Sequence, residues 1–324
     1  MTGADAAMAG PALCRFFAPG AGARLGGLYD GGVVDLTARE PEACASLAAL
    51  LAGPTSLADV LARHAGAAPD YQYAELDRAP APDAPHLLPP IDGQEVWAAG
   101  VTYTRSREAR MDESEISADV YARVYDAERP ELFFKAMASR VVGPNDRVAV
   151  RPDAAWSVPE AELTLVLDTS LRIAGYTIGD DLTARDVEAQ NPLYLPQAKV
   201  YGRCCALGPV IVPAPSLDPY ALDITCRIER GGRELFTGSA NTGQLHRRLE
   251  DLVAYLGRCD AFPAGAFLMT GTGIVPPDDV SLGAGDVVEI AIGGLGTLRN
   301  TVTVSPSSLS ERNELSAPSV LIDW

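Results

Sequence analysis

From Glu95 onward the chain is built of short, apolar, β-prone runs, each closed off by turn residues, and this alternation narrows its fold more than any other feature. The runs are VWAAGVTY, LFFKA, RVAV, ELTLVLD, IAGYTIG, GPVIVP, DITCRIE, VVEIAI and TLRNTVTVS. Their β-branched and aromatic residues suit a pleated, half-buried surface, and the Gly, Pro, Asn and Asp between them interrupt the extended backbone. Only Ser114 to Tyr125 and His246 to Leu256 show a clear helical period in this region. Many short strands with few helices predict an α+β, strand-rich domain whose mixed sheet closes into a barrel or a sandwich. No internal repeat is evident.

Upstream the pattern differs. Leu13 to Leu36 reads as short strands joined by Gly-Gly and Asp-Gly turns. Pro41 to Ala65 reads as helix, with a break at Gly53-Pro54. Ala79 to Gly93, APAPDAPHLLPPIDG, is too proline-rich to build a helix and marks a linker. A small N-terminal α/β domain, residues 1–88, and a larger catalytic domain, residues 89–324, are therefore expected. The small domain carries no catalytic cluster, and His64 on its apolar helix is read as a surface or core histidine rather than a ligand.

A net charge of −17 in 324 residues argues against nucleic acid, because phosphate binding needs a basic footprint and no dense Lys/Arg cluster supplies one. Apolar stretches such as Ala45 to Ala52 are too short to cross a bilayer. The N-terminus has no basic region ahead of an apolar run, so a cytoplasmic location is expected. The six cysteines form no C-x-x-C pair and read as reduced, mostly buried thiols. With three scattered histidines, a zinc site is not expected.

The segment VPEAELTLVLD places Glu160 and Glu162 two residues apart, and a period of two puts both side chains on one strand face. Like charges that close must be separated by a cation or share protons. After a turn, IAGYTIGDD could bring Asp181 back beside them as a third oxygen ligand. An all-oxygen set suits Mg²⁺ or Mn²⁺ with waters left for a substrate to replace. Spacing alone leaves the alternative open: a solvated strand face followed by an Asp-Asp turn.

The ordered set PEAELTLVLD, GYTIGDDLTARD, PLYLPQAKVYGRCCALGPVIVP and MTGTGIVPPDDVSLGAGDVVEIAIGGLGTLRNTV resembles the fumarylacetoacetate hydrolase family over residues 95–305. The resemblance implies a mixed β-barrel-like roll and Glu160, Glu162 and Asp181 as ligands of Mg²⁺, with Mn²⁺ or Ca²⁺ as alternatives. It implies that Lys199, in QAKVYG, reaches into the pocket, where an ammonium would stabilise a developing enolate. It implies that Thr272, in TGTGIVP, contacts the carboxylate end of a substrate. Arg185 and Asp186 are expected to pair with each other.

Hydrolytic members of the family carry G-x-N-Y-x-x-H with a glutamate three residues after the histidine, a pair that activates water. Here the segment is GVTYTRSREA, so Ser106 stands at the histidine position and Ala109 at the glutamate position. This departure is similar to a branch of the family that dehydrates a 2-keto-3-deoxy sugar acid, 2-keto-3-deoxy-D-arabinonate to 2,5-dioxopentanoate. Lys199 and Ser106 are then assigned to catalysis, and Tyr103, Arg105 and Thr272 to substrate binding. Lys199, Glu113, Glu115 and Glu131 remain candidates for proton transfer. The rivals are hydrolysis or decarboxylation of a 3-acylpyruvate, and a non-catalytic binding protein on the same fold. The expected partners are a small 2-keto acid and a second copy of the chain, as homodimer or homotetramer, with neither nucleic acid nor membrane.

Overall fold

The computed structural model describes residues 8–104 and 123–306. The N-terminal strands β1 (Ala12–Ala18), β2 (Gly22–Tyr29) and β3 (Gly32–Asp35) form consecutive antiparallel hairpins. Asp30 and Gly31 between β2 and β3 both take positive φ, 48° and 84°, the conformation that a two-residue hairpin turn demands. Helices α1 (Leu36–Arg39), α2 (Leu47–Ala52) and α3 (Leu57–Arg63) follow. The break expected at Gly53-Pro54 falls between α2 and α3, where Ser56 opens the second of them by accepting from the Asp59 amide. His64 pairs with Glu40 at 2.7 Å and belongs to the surface of this unit. The strand β4 (Tyr71–Gln72) pairs with β3. The proline-rich segment contains no helix, and its only strand, β5 (His86–Leu88), pairs with β1.

The remaining strands are β6 (Glu95–Gly100), β7 (Glu131–Met137), β8 (Val141–Val142), β9 (Arg147–Val150) and β10 (Ser157–Val158), then β11 (Ala161–Leu167), β12 (Ile173–Asp181), β13 (Thr183–Ala184), β14 (Cys205–Pro213) and β15 (Asp223–Arg230), and finally β16 (Arg233–Asn241), β17 (Ala266–Met269), β18 (Val287–Ile292) and β19 (Gly296–Val304). Twelve strands make one mixed sheet in the order β4-β3-β2-β1-β14-β12-β11-β17-β6-β7, with β5 beside β1 and β8 beside β14. A second sheet has the order β16-β15-β18-β19-β9, and β10 pairs with β13 alone. The helix expected over His246 to Leu256 starts three residues later, at Leu249. The one expected over Ser114 to Tyr125 lies largely outside the described residues.

The strand-rich α+β architecture is as expected, but the sheet does not close into a barrel. Its path ends at β4 on one side and β7 on the other, and these do not pair. Closure is not needed because each face of the large sheet is covered by another layer. On one face, Leu163, Leu165, Ile178 and Val212 pack into a common core with Ile224, Ile228, Val288 and Ile290 of the smaller sheet. On the other, Val166, Ile211 and Phe267 pack against Leu47, Leu50, Val60 and Leu61 of α2 and α3. Alternate residues of β11 thus face two covered sides, which is why every residue of AELTLVL is buried, Glu162 and Thr164 included.

Candidate metal centre and cleft

β11 and β12 are antiparallel neighbours, with Ala161 opposite Asp180 and Glu162 opposite Gly179. One step further along, the Asp181 amide donates to the Glu160 carbonyl at 3.0 Å, so Asp181 sits opposite Glu160. The period of two then puts Glu160, Glu162 and Asp181 on the same face and turns Asp180 to the other. One carboxylate oxygen from each of the three lies within 4.8 Å of the others, and all three side chains are buried. Asp180, behind them, is enclosed with neither oxygen hydrogen-bonded.

Three buried carboxylates so close cannot all ionise cheaply. Burial, and then the charges of Asp181 and Glu160, push Glu162 well above the usual carboxylate range; Lys199 and the Gly271 amide pull it part of the way back. That amide donates to Glu162 Oε2 at 2.6 Å. Gly271 can present it because it sits at φ +87°, and a Cβ there would stand 2.0 Å from Thr102 Oγ1. Thr102 in turn donates to the Thr270 carbonyl at 2.6 Å, which holds the strand end that carries Gly271.

Cations surround the cluster. Lys199, at the end of the short helix Leu195–Lys199, places Nζ 2.9 Å from Asp181 Oδ2 and 3.0 Å from Glu160 Oε2. Lys135, on β7, pairs with Asp181 Oδ1. Arg185 reaches Glu160 Oε1 at 3.0 Å and Glu188 Oε2 at 3.1 Å. The expected Arg185–Asp186 pair does not form: Asp186 accepts from the Ala155 amide instead. Adjacent residues at the start of the helix Arg185–Gln190 point in different directions, whereas Glu188, three positions on, shares Arg185's face. Thr183 completes the shell, its hydroxyl donating to Glu160 Oε1 at 2.9 Å.

Glu160 of the cluster lines a narrow cleft together with Gly100, Glu131, Phe133, Arg185, Glu188, Lys199, Gly271 and Thr272 among others. Lys199 and Thr272 both line this cleft. Thr272 also uses its hydroxyl locally, accepting from the Ile274 amide at 3.1 Å. Glu131 lines the cleft beside Gly100, where a Cβ would meet its carboxylate. Tyr103 is buried and is not among the lining residues; burial and then Glu162 raise its phenol. Ser106, Arg105, Glu113 and Glu115 lie outside the described residues. The five described cysteines other than Cys259 are buried, and all six are unbridged.

Sequence reading missed Lys135 and Glu188. Lys135 carried a signal: a lysine enclosed within the apolar strand ELFFKAM must find a carboxylate. Glu188 carried none beyond its spacing from Arg185.

The donor set is all oxygen, convergent and enclosed. The clash that raises Glu162 is what a divalent cation relieves, so the residues present fit a hard ion such as Mg²⁺. Glu160, Glu162 and Asp181 would hold it.

Three convergent carboxylates at the junction of β11 and β12, beside a cleft that Lys199 lines, are the marks of a metal-dependent enzyme. The family model described as fumarylacetoacetate (FAA) hydrolase C-terminal matches residues 95–303, and the chain belongs to that family. Over 216 residues it is 50% identical to the 2-dehydro-3-deoxy-D-arabinonate dehydratase of Saccharolobus solfataricus, covering 65% of this chain and 72% of that protein. It is 48% identical over 219 residues to a Haloferax volcanii protein named "Probable 2-keto-3-deoxyxylonate dehydratase", covering 67% and 75%. A solved structure of 2-keto-3-deoxy-D-arabinonate dehydratase complexed with magnesium and 2,5-dioxopentanoate superposes with a TM-score of 0.76 at 37% identity, covering 91% of this chain and 99% of that one.

Proposed function

We propose that this chain is a magnesium-dependent hydro-lyase that converts 2-keto-3-deoxy-D-arabinonate to 2,5-dioxopentanoate. The observation that carries the reading is the buried Glu160–Glu162–Asp181 cluster, whose Glu160 lines one cleft with Lys199. Relatives named as dehydratases of such acids support it, as does the related structure that holds magnesium with the product.

Magnesium, when bound, withdraws electron density from the 2-keto and carboxylate oxygens of a substrate and so acidifies C3. The chain's own groups supply the rest. Loss of a proton from C3 and of the hydroxyl from C4, as water, leaves a C3–C4 double bond. Moving a proton from C5 to C3, and then the enol proton to C4, gives the 5-aldehyde. Lys199 Nζ stands beside the carboxylates and can stabilise negative charge developing on the 2-oxygen. Glu131, on the cleft wall, is placed to take or return a proton. Arg185 holds Glu160 and Glu188 in place, and Thr272 offers a hydroxyl to the substrate's carboxylate end. Arg105 and Ser106 are proposed as the polar surround of the sugar hydroxyls, with Ser106 at the catalytic position, whereas buried Tyr103 would stand behind the cleft wall.

We also assign residues 1–88 to a small assembly domain and residues 89–324 to the catalytic domain of a cytoplasmic homodimer or homotetramer. The family match beginning at residue 95 supports the division.

Incubating the purified protein with 2-keto-3-deoxy-D-arabinonate and Mg²⁺ should release an aldehyde, trapped and identified as 2,5-dioxopentanoate. Consumption of a 3-acylpyruvate with no aldehyde formed from the sugar acid would overturn the reading.

A further inference from the structure

Lys135 has no part in the reaction outlined above, yet it is a fully enclosed charge, with 0% of its surface exposed. An ammonium has three hydrogens to donate and nothing to accept with. Here all three have partners: the Asp181 carboxylate, the Leu182 carbonyl at 3.0 Å and the Lys199 carbonyl at 2.6 Å. None is left for a substrate, and Lys135 is not among the residues lining the cleft.

What those partners share is informative. Asp181 and Leu182 lie at the end of β12, whereas Lys199 ends a separate short helix. Lys199's own ammonium turns back to the opposite oxygen of the same Asp181 carboxylate, at 2.9 Å. One atom, Lys135 Nζ, therefore ties together the backbone that carries Lys199, the backbone beside Asp181 and the Asp181 side chain itself.

We propose that Lys135 is a positioning residue, which sets the orientation of Asp181 for a divalent cation and the distance of Lys199 from it. The inference rests on the cation site proposed above. A role confined to balancing charge predicts the opposite sign. Removing a positive charge beside a carboxylate cluster, with nothing else changed, strengthens cation binding. Releasing an oriented ligand from the group that holds it weakens binding, commonly by about 10- to 100-fold.

The test uses the full-length protein, stripped of metal, with Mn²⁺ as probe. Binding is followed by the paramagnetic resonance of free Mn²⁺, and turnover of 2-keto-3-deoxy-D-arabinonate is measured alongside. Lys135→Arg keeps the charge but offers a planar fork that cannot address the same three acceptors. Lys135→Met removes the charge at similar volume. Positioning predicts weaker Mn²⁺ binding in both variants, by about 10-fold or more, and a fall in kcat exceeding any change in KM. Wild-type Mn²⁺ affinity and kcat in Lys135→Arg would overturn the proposal, as would tighter Mn²⁺ binding in Lys135→Met. Should the methionine variant fail to fold, Lys135→Arg decides alone. A wild-type protein that binds no Mn²⁺ would refute the cation site itself, a result distinct from either outcome for Lys135.

Discussion

Glu162→Gln separates the cation site from the fold that carries it. Glu162 is 1% exposed, and burial with its two acidic neighbours holds it well above the usual carboxylate range. Glutamine has the same shape, retains an oxygen for the Gly271 amide and carries no charge to repel Glu160 and Asp181. Without metal, the variant should therefore be at least as stable as wild type. With metal the order reverses. Losing one of three carboxylate ligands should weaken binding by at least about 100-fold, the upper end of what even an outer-shell change costs. At a Mg²⁺ concentration of about 100 times the wild-type dissociation constant, linkage stabilises wild type by about 2.7 kcal/mol and the variant by about 0.4 kcal/mol. For a chain of this size that is a rise in melting temperature of about 4 °C against less than about 1 °C. Differential scanning fluorimetry with chelator and with Mg²⁺ reads both numbers on the same samples. An equal Mg²⁺-induced rise in both proteins would refute the assignment of Glu162 as a ligand, and a metal-free variant much less stable than wild type would refute the account of its ionisation.

Two further outcomes follow from the same region. Burial first, and then the charge of Asp181, raise Asp180 from an ordinary value of 3.8 to about 8. A raised carboxyl stabilises the fold fully below its unfolded value and loses that contribution as pH climbs through the folded one, so urea midpoints of chelated wild type should fall between pH 4 and 8. The total loss is up to about 6 kcal/mol, and Asp180→Asn should flatten the profile; an unchanged slope in that variant would show that another group is responsible. Gly271→Ala forces a Cβ to 2.0 Å from Thr102 Oγ1 at a φ of +87°, so it should cost about 2 kcal/mol or more of stability. Gly66→Ala, with nothing within 4 Å, should stay within about 0.5 kcal/mol, and similar denaturation midpoints for the two variants would contradict this reading of the Gly271 turn.

Sequence by itself determined whatever local periodicity controls. The period of two put Glu160 and Glu162 on one face, and the hairpin length returned Asp181 to them. The Gly53-Pro54 break separated α2 from α3, and the Asp30-Gly31 pair turned β2 into β3. Motif order identified the family, and the absence of histidine at position 106 narrowed the chemistry. Tertiary structure decided what depends on neighbours distant in the chain. It decided between the barrel and the sandwich that the strand pattern left open, keeping the sheet unclosed with a second sheet and the N-terminal helices covering its faces. It replaced the Arg185–Asp186 pair with one to Glu160, 25 residues away. It brought Lys135 to Asp181 across the gap between β7 and β12, which lie several strands apart in the sheet order. No spacing rule reaches that far: periodicity fixes the face on which a charge stands, and only packing fixes which opposite charge it meets.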